Sequence, residues 1–248
     1  MIGALETPSV SVPRSLGTID LLLRDREVML ARIRAGTNLA AILKVMVATI
    51  AVTMAIVGAA LGSYRGGVQI AFAAMKLPLV LLGTAALSAP TLTAIGRAVG
   101  RRSNLVQDLT LVMSALAFGA LMLVAGTPLI LLGRALDLTY HQMILMTVTM
   151  FGIAGIASLQ MIIHAVSVEN LRDGTRGWRT AVLGLLIVFI TVGGQLSWGL
   201  RPYLVRPRTP DVPFVRAIEG SLFDAITGAF QSARGVYSRE EAPLPEQR

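Results

Sequence analysis

Cysteine is missing from this chain, and histidines and acidic residues are few. The sequence has no cysteine, two histidines and 14 acidic residues in 248. Without cysteine, disulfides, thiolate nucleophiles and cysteine-ligated metals are excluded. The few acids and histidines leave little material for a metal centre or an acid–base pair, and no GxxxxGK[ST] nucleotide loop occurs. We therefore predict that the protein is not an enzyme and that it uses no cofactor or metal.

Charged residues as a whole are also scarce. They make up 15% of the chain, whereas 54% of the residues are hydrophobic; an average soluble domain has about 25% charged residues. This balance indicates a lipid-facing protein. The net charge of +8 comes mainly from arginines beside apolar runs, which is typical of membrane orientation and headgroup contact. We therefore expect membrane lipids, including a bound lipid, and no nucleic acid among the partners.

Long apolar runs are what the chain does have. A helix needs about 20 residues to cross ~30 Å of hydrocarbon, and it must be helical because lipid offers no partner to unpaired backbone groups. Five stretches of sufficient length contain no Asp, Glu, Lys, Arg or His, namely 45–64, 77–96, 109–133, 142–163 and 180–200. The sequence therefore predicts an all-α polytopic membrane protein, a bundle of five transmembrane helices.

Each end of the chain adds a segment outside the bundle. Residues 15–35 place Leu16, Ile19, Leu23, Leu30 and Ile33 at heptad-like spacing, which predicts an amphipathic helix. After the last span come four prolines, a second apolar stripe from Val215 to Phe230 and a polar tail. We expect three parts: a cytoplasmic N-terminal segment, the transmembrane domain, and an extracytoplasmic linker with amphipathic helix and disordered tail, over 1–38, 39–202 and 203–248.

Loop charges predict the orientation. The 97–108 and 164–179 loops carry three arginines each, whereas 65–76 has one arginine and one lysine and 134–141 has one arginine. The positive-inside rule therefore predicts a cytoplasmic N-terminus and, after five spans, an external C-terminus. Four arginines oppose this placement of the C-terminus: Arg201, Arg206, Arg208 and Arg216.

Lys76 and two prolines stand out in the second run. We favour an edge position for Lys76, from which its ammonium reaches the headgroups, over a position in a water-filled cavity. Pro78 falls in the first helical turn, where its missing N–H costs little. Pro90 lies inside the helix and predicts a kink, with Ser88 a candidate partner for the freed carbonyl.

Five further polar residues lie in or beside the spans. We interpret Lys44 and Asp108 as interfacial, with pairing across helices as the alternative. His164 closes the fourth run as a boundary residue, the alternative being a proton relay. Gln160 and Gln195 are interpreted as interhelical hydrogen-bonding groups, which contribute ~0.6 kcal/mol each on average.

Small residues recur at helical spacing within the runs. Gly58 and Gly62 form a GxxxG motif, and such spacing lets two helix backbones approach closely. The residues predicted to pack helices in this way are Gly58, Gly62, Ala115, Gly119, Gly152 and Gly155.

Three stretches carry a family resemblance: "RAGTNLAAIL" (34–43), "AMKLPLVLLGTAALSAPTL" (73–91) and "GGQLSWGLRPYLVRPRTPDVPFVRAIEGSLFDAI" (193–226). They resemble bacterial five-span inner-membrane proteins that are loosely similar to the Yip1 superfamily. The resemblance implies the bacterial inner membrane, a cytoplasmic N-terminus and five helices. Yip1 proteins are associated with membrane organisation and trafficking, and no catalytic residues carry over.

Two functions fit these observations. The first is a structural scaffold, anchor or assembly subunit of a larger membrane complex, as a homo-oligomer or with other membrane proteins. The alternative is a small transporter or channel, which would need a polar path built from Lys76, Asp108, Gln160, Gln195 and His164. The odd number of spans and the lack of an internal repeat favour the scaffold.

Overall fold

The computed structural model describes residues 14–102, 104–173, 177–201, 203–205 and 214. Within these residues every regular element is a helix, and five segments are long and apolar enough to cross a membrane, so the all-α, five-span prediction is confirmed. The helices are α1 (Arg14–Arg24), α2 (Arg26–Arg34), α3 (Leu39–Gly62), α4 (Val68–Ala98), α5 (Leu105–Ala125), α6 (Thr127–Ala135), α7 (Tyr140–Asp173) and α8 (Trp178–Gly199).

The second span is longer than its uncharged run. The helix α4 begins at Val68 and has 31 residues, so Lys76 lies more than two turns inside it. One charged side chain does not end a helix, because the helix is held together by its backbone hydrogen bonds. The helix continues through both Pro78 and Pro90; the kink at Pro90 stays a prediction. Ser88 does not bond the freed carbonyl, because its hydroxyl has no hydrogen-bond partner among the described residues.

The third span is interrupted instead. It consists of α5 and α6, which meet at Gly126, and Pro128 stands at the start of α6. Because proline has no N–H, it is well suited to the first turn of a new helix. The uncharged run 109–133, expected as one helix, is therefore two helices.

The helix α3 packs closely on α4. A Cβ added at Gly58 would overlap the backbone of Ala73, and one at Gly62 would overlap the backbone of Gln69. In α5, a Cβ at Gly119 would overlap the Ser158 hydroxyl of α7. At these three glycines the missing side chain is therefore what lets the helices approach.

The helices α7 and α8 are packed more loosely. The helix α8 lies against α4 and α7 against α5, and α7 and α8 contact each other over few residues. A Cβ at Gly152 or Gly155 would meet nothing within 4 Å. These two glycines, predicted to pack helices, face open space within the described structure.

The predicted N-terminal amphipathic helix is two short helices, because the chain turns at Asp25, whose φ is −136°. Met29, Leu30 and Ile33 of α2 are buried in the bundle's core cluster. The predicted stripe is wrong at Leu23, which is 45% exposed, while Leu22 is buried. The predicted C-terminal amphipathic helix and tail lie outside the described residues.

Candidate functional site

The six polar candidates divide into exposed and buried ones. Lys44, Gln160 and His164 are exposed, and Gln195 is half-buried. Lys76 and Asp108 are both 0% exposed, so both side chains are enclosed by other parts of the chain; the edge position of Lys76 and the interfacial position of Asp108 stay predictions. Each lies on the side of its helix that faces another part of the same chain.

Asp108 forms a buried ion pair at the end where α4 meets α5. Its Oδ1 lies 2.7 Å from Nη1 of Arg101, and its Oδ2 accepts a 2.7 Å hydrogen bond from the Thr93 hydroxyl of α4. The Arg101 side chain is only 7% exposed. Both carboxylate oxygens therefore have a partner, which offsets part of the cost of burying the charge.

The end of α4 places Arg101 in this position. The N–H of Arg101 donates to the carbonyl of Gly96, and that of Gly100 donates to Arg97, which is the Schellman arrangement. Gly100 has a φ of +90°, a conformation that costs glycine little. Gly96 leaves room for the arginine, since a Cβ there would lie 3.3 Å from Cδ of Arg101.

The start of α5 fixes the other partner. Asn104 caps the helix and forms a capping box with Gln107, so Asp108 falls in the first turns, where the helix dipole favours a negative charge. The Gln107 Nε2 also donates to the Arg34 carbonyl at 2.9 Å. The N-terminal helices are thereby connected to the same end of the bundle.

Lys76 lies toward the opposite end of α4. Its Nζ is 5.2 Å from the centroid of the Phe214 ring, a cation–π distance. The same ring meets Phe72 edge-on, with centroids 5.2 Å apart. Lys76 is therefore packed against an aromatic side chain from beyond the last span.

A second contact connects α4 to the chain after α8. Gln69, which is 1% exposed, donates to the Tyr203 carbonyl at 3.5 Å, and the Tyr203 hydroxyl donates to the Ser197 carbonyl at 3.1 Å. Burial raises the pKa of the Tyr203 phenol, so this hydroxyl stays protonated and remains a donor at neutral pH.

An exposed ion-pair contact joins α2 to α7. The His164 ring nitrogen lies 2.5 Å from a Glu27 carboxylate oxygen. Both residues, with Gln160 and the charged residues around Asp25, line a cavity of about 430 Å³. His164 and Gln160 thus belong to a surface contact with the N-terminal helices rather than to the interior of the bundle.

The loose packing of α7 and α8 leaves an apolar cleft between them. One cavity of about 480 Å³ lies between α7 and α8 over α3 and α4. A second of about 340 Å³ lies between α7 and α8 over α5. Phe189 and Ile190 of α8 line both, so we refer to the two cavities together as the α7–α8 cleft.

Sequence reasoning missed Thr93, Arg101, Gln69 and Tyr203. A signal existed for Gln69, because Gln69, Lys76 and Thr84 are seven and eight residues apart and so share one face of a helix. No comparable signal marks Arg101, whose burial follows from the turn after α4.

The fold and these contacts define a multi-pass α-helical membrane protein. No family model, curated protein or solved structure matches this chain. The similarity to Yip1-like proteins stays a prediction.

Proposed function

We propose that this protein is a non-enzymatic scaffold or assembly subunit of the bacterial inner membrane, with its N-terminus in the cytoplasm. The observation that carries the proposal is that its buried polar groups connect one part of the chain to another. Asp108 holds Thr93 and Arg101, and Gln69 holds the backbone of Tyr203. Polar groups used in this way stabilise one helix arrangement, which an assembly subunit requires.

The outer faces of the loosely packed helices supply a surface for partners. Leu145 and Ile153 of α7 are 67% and 56% exposed, and Leu183 and Ile187 of α8 are 56% exposed each. Such faces meet either lipid or another membrane helix. The proposal assigns the α7 face to a second copy of the chain or to another membrane protein.

Mild extraction from the native membrane followed by native mass spectrometry tests this proposal. We expect a defined species heavier than the 26.3 kDa chain, reduced by Leu145→Trp on the α7 face. Leu87→Trp on α4 is the matched control, because Leu87 is 59% exposed on a different helix. A monomer that carries no other protein in every mild detergent would contradict the proposal.

One observation favours the transporter alternative. Between Lys76 and Thr93, which are roughly 25 Å apart along α4, the buried hydroxyls of Thr84 and Ser88 have no hydrogen-bond partner among the described residues. Polar groups spaced along one span are typical of a solute or proton path. If the protein is a transporter, liposomes that contain the wild type should show a solute or proton flux, and the double variant Thr84→Val with Ser88→Ala should abolish it. If it is a scaffold, neither the wild type nor the double variant gives a flux.

A further inference from the structure

The α7–α8 cleft has the length of a lipid acyl chain. Its lining runs along α8 from Leu185 to Ser197, which is about 18 Å at 1.5 Å per residue. That length slightly exceeds one leaflet of hydrocarbon, about 15 Å.

Different residues line the two ends of the cleft. Ile156, Leu159 and Leu186 line one end, where a hydrocarbon chain gains van der Waals contacts and water finds no polar partners. At the other end the lining includes Ser197 and Tyr203. The cleft is therefore apolar along its length, as an acyl chain requires, and Ser197 and Tyr203 add hydroxyls where α8 ends.

A positive charge lies at the same end of α8, outside the lining of the cleft. The Arg201 guanidinium carbon lies 3.4 Å from the centroid of the Trp198 ring, so the arginine is held at the end of α8, two residues before Tyr203. Arginine and tryptophan at the end of a span are typical of the headgroup level. A phosphate at this level would meet the Arg201 cation.

We propose that the α7–α8 cleft binds one acyl chain of a phospholipid from the leaflet at the C-terminal end of α8, with its phosphate at the level of Arg201. The chain enters sideways between α7 and α8, where Ile156 and Ile190 are 60% and 62% exposed. Gly152 and Gly155 keep this entrance wide, since nothing lies within 4 Å of a Cβ at either. The lipid site does not depend on the scaffold proposal, because it needs only one copy of the chain.

Photolabelling with phosphatidylglycerol that carries a diazirine near the end of one acyl chain tests the site. The full-length protein in phosphatidylcholine vesicles is irradiated, and the labelled peptides are mapped. We expect labelling concentrated on α7 and α8 around Gly155 and Phe189, and competition by unlabelled phosphatidylglycerol.

Two cavity-filling variants make the test specific. Gly155→Phe and Gly152→Leu place a side chain in open space, so we expect each to fold and to reduce cleft labelling about tenfold or more, which corresponds to at least about 1.4 kcal/mol. Gly17→Leu is the matched control, because Gly17 also has open space around it but lies on α1, outside the cleft lining. It should label as the wild type does.

Three results would overturn the proposal. The first is labelling spread evenly over all lipid-facing helices, which indicates ordinary boundary lipid. The second is unchanged cleft labelling in both variants although each elutes and melts as the wild type does. The third is crosslinking of another protein, instead of lipid, to the region around Gly155, because a helix of that protein would then occupy the cleft. A loss of assembly in the mass measurement without a loss of cleft labelling would affect the scaffold proposal alone.

Discussion

The α3–α4 interface and the α7–α8 cleft both contain glycines at helical spacing, yet they differ in packing. At Gly58 and Gly62 the neighbouring backbone occupies the space of a side chain, whereas at Gly152 and Gly155 that space is open. Small residues therefore permit two helices to approach closely but do not by themselves cause the approach. At the α3–α4 interface the two helices are consecutive and joined by a short turn; α7 and α8 are also consecutive, but each packs on a different helix of the core.

The largest effect should come from breaking the ion pair that supports the tightly packed half. Asp108→Ala removes the carboxylate that contacts the buried Arg101 and Thr93, and we expect a loss of about 3–5 kcal/mol of stability. Thermal unfolding in detergent, followed by circular dichroism, measures it. Replacing both partners, with Asp108→Leu and Arg101→Met, should recover much of the loss. An additive double variant would contradict the coupling of the two side chains.

An intermediate effect should separate the two glycine pairs directly. Gly58→Leu forces its side chain into the α4 backbone, and we expect a loss of about 1–3 kcal/mol or a failure to fold. Gly152→Leu extends into open space and should change stability by less than about 1 kcal/mol. The same unfolding assay compares them, and equal losses would show that the two regions are packed alike.

The smallest effect should come from Thr84, which lines the cleft. Its hydroxyl is buried and has no hydrogen-bond partner among the described residues, so Thr84→Val removes a polar atom that nothing compensates. We expect stability to be unchanged or higher by up to about 1 kcal/mol. Thr93→Val is the control, because its hydroxyl bonds Asp108 and its loss should destabilise. A clear loss in Thr84→Val would show that the hydroxyl has a partner, such as a bound lipid.

The five spans could be predicted from the sequence because hydrocarbon allows only helices of a certain length and composition. The positions of Lys76 and Asp108 could not, because a polar residue near the end of a span can face either headgroups or another helix. The choice depends on groups distant in sequence, such as Phe214 for Lys76. For Asp108 it depends on the turn at Gly100, which brings Arg101 back onto α4.

The cleft could not be predicted from the sequence either. Gly152 and Gly155 have the same spacing as residues in a tight helix pair, and only the positions of α7 and α8 in the bundle leave them uncovered. The break at Gly126, by contrast, could have been predicted, because Pro128 favours the start of a new helix. A count of uncharged residues makes no use of the positions of prolines.

The most direct test of the five-span fold uses the fact that the chain contains no cysteine. Single cysteines at Arg102→Cys, before α5, and Leu136→Cys, after α6, mark the two ends of the third span, and both positions are exposed. A membrane-impermeant maleimide applied to intact cells should label position 136 and should reach position 102 only after permeabilisation. Labelling of both cysteines from the same side would contradict the account.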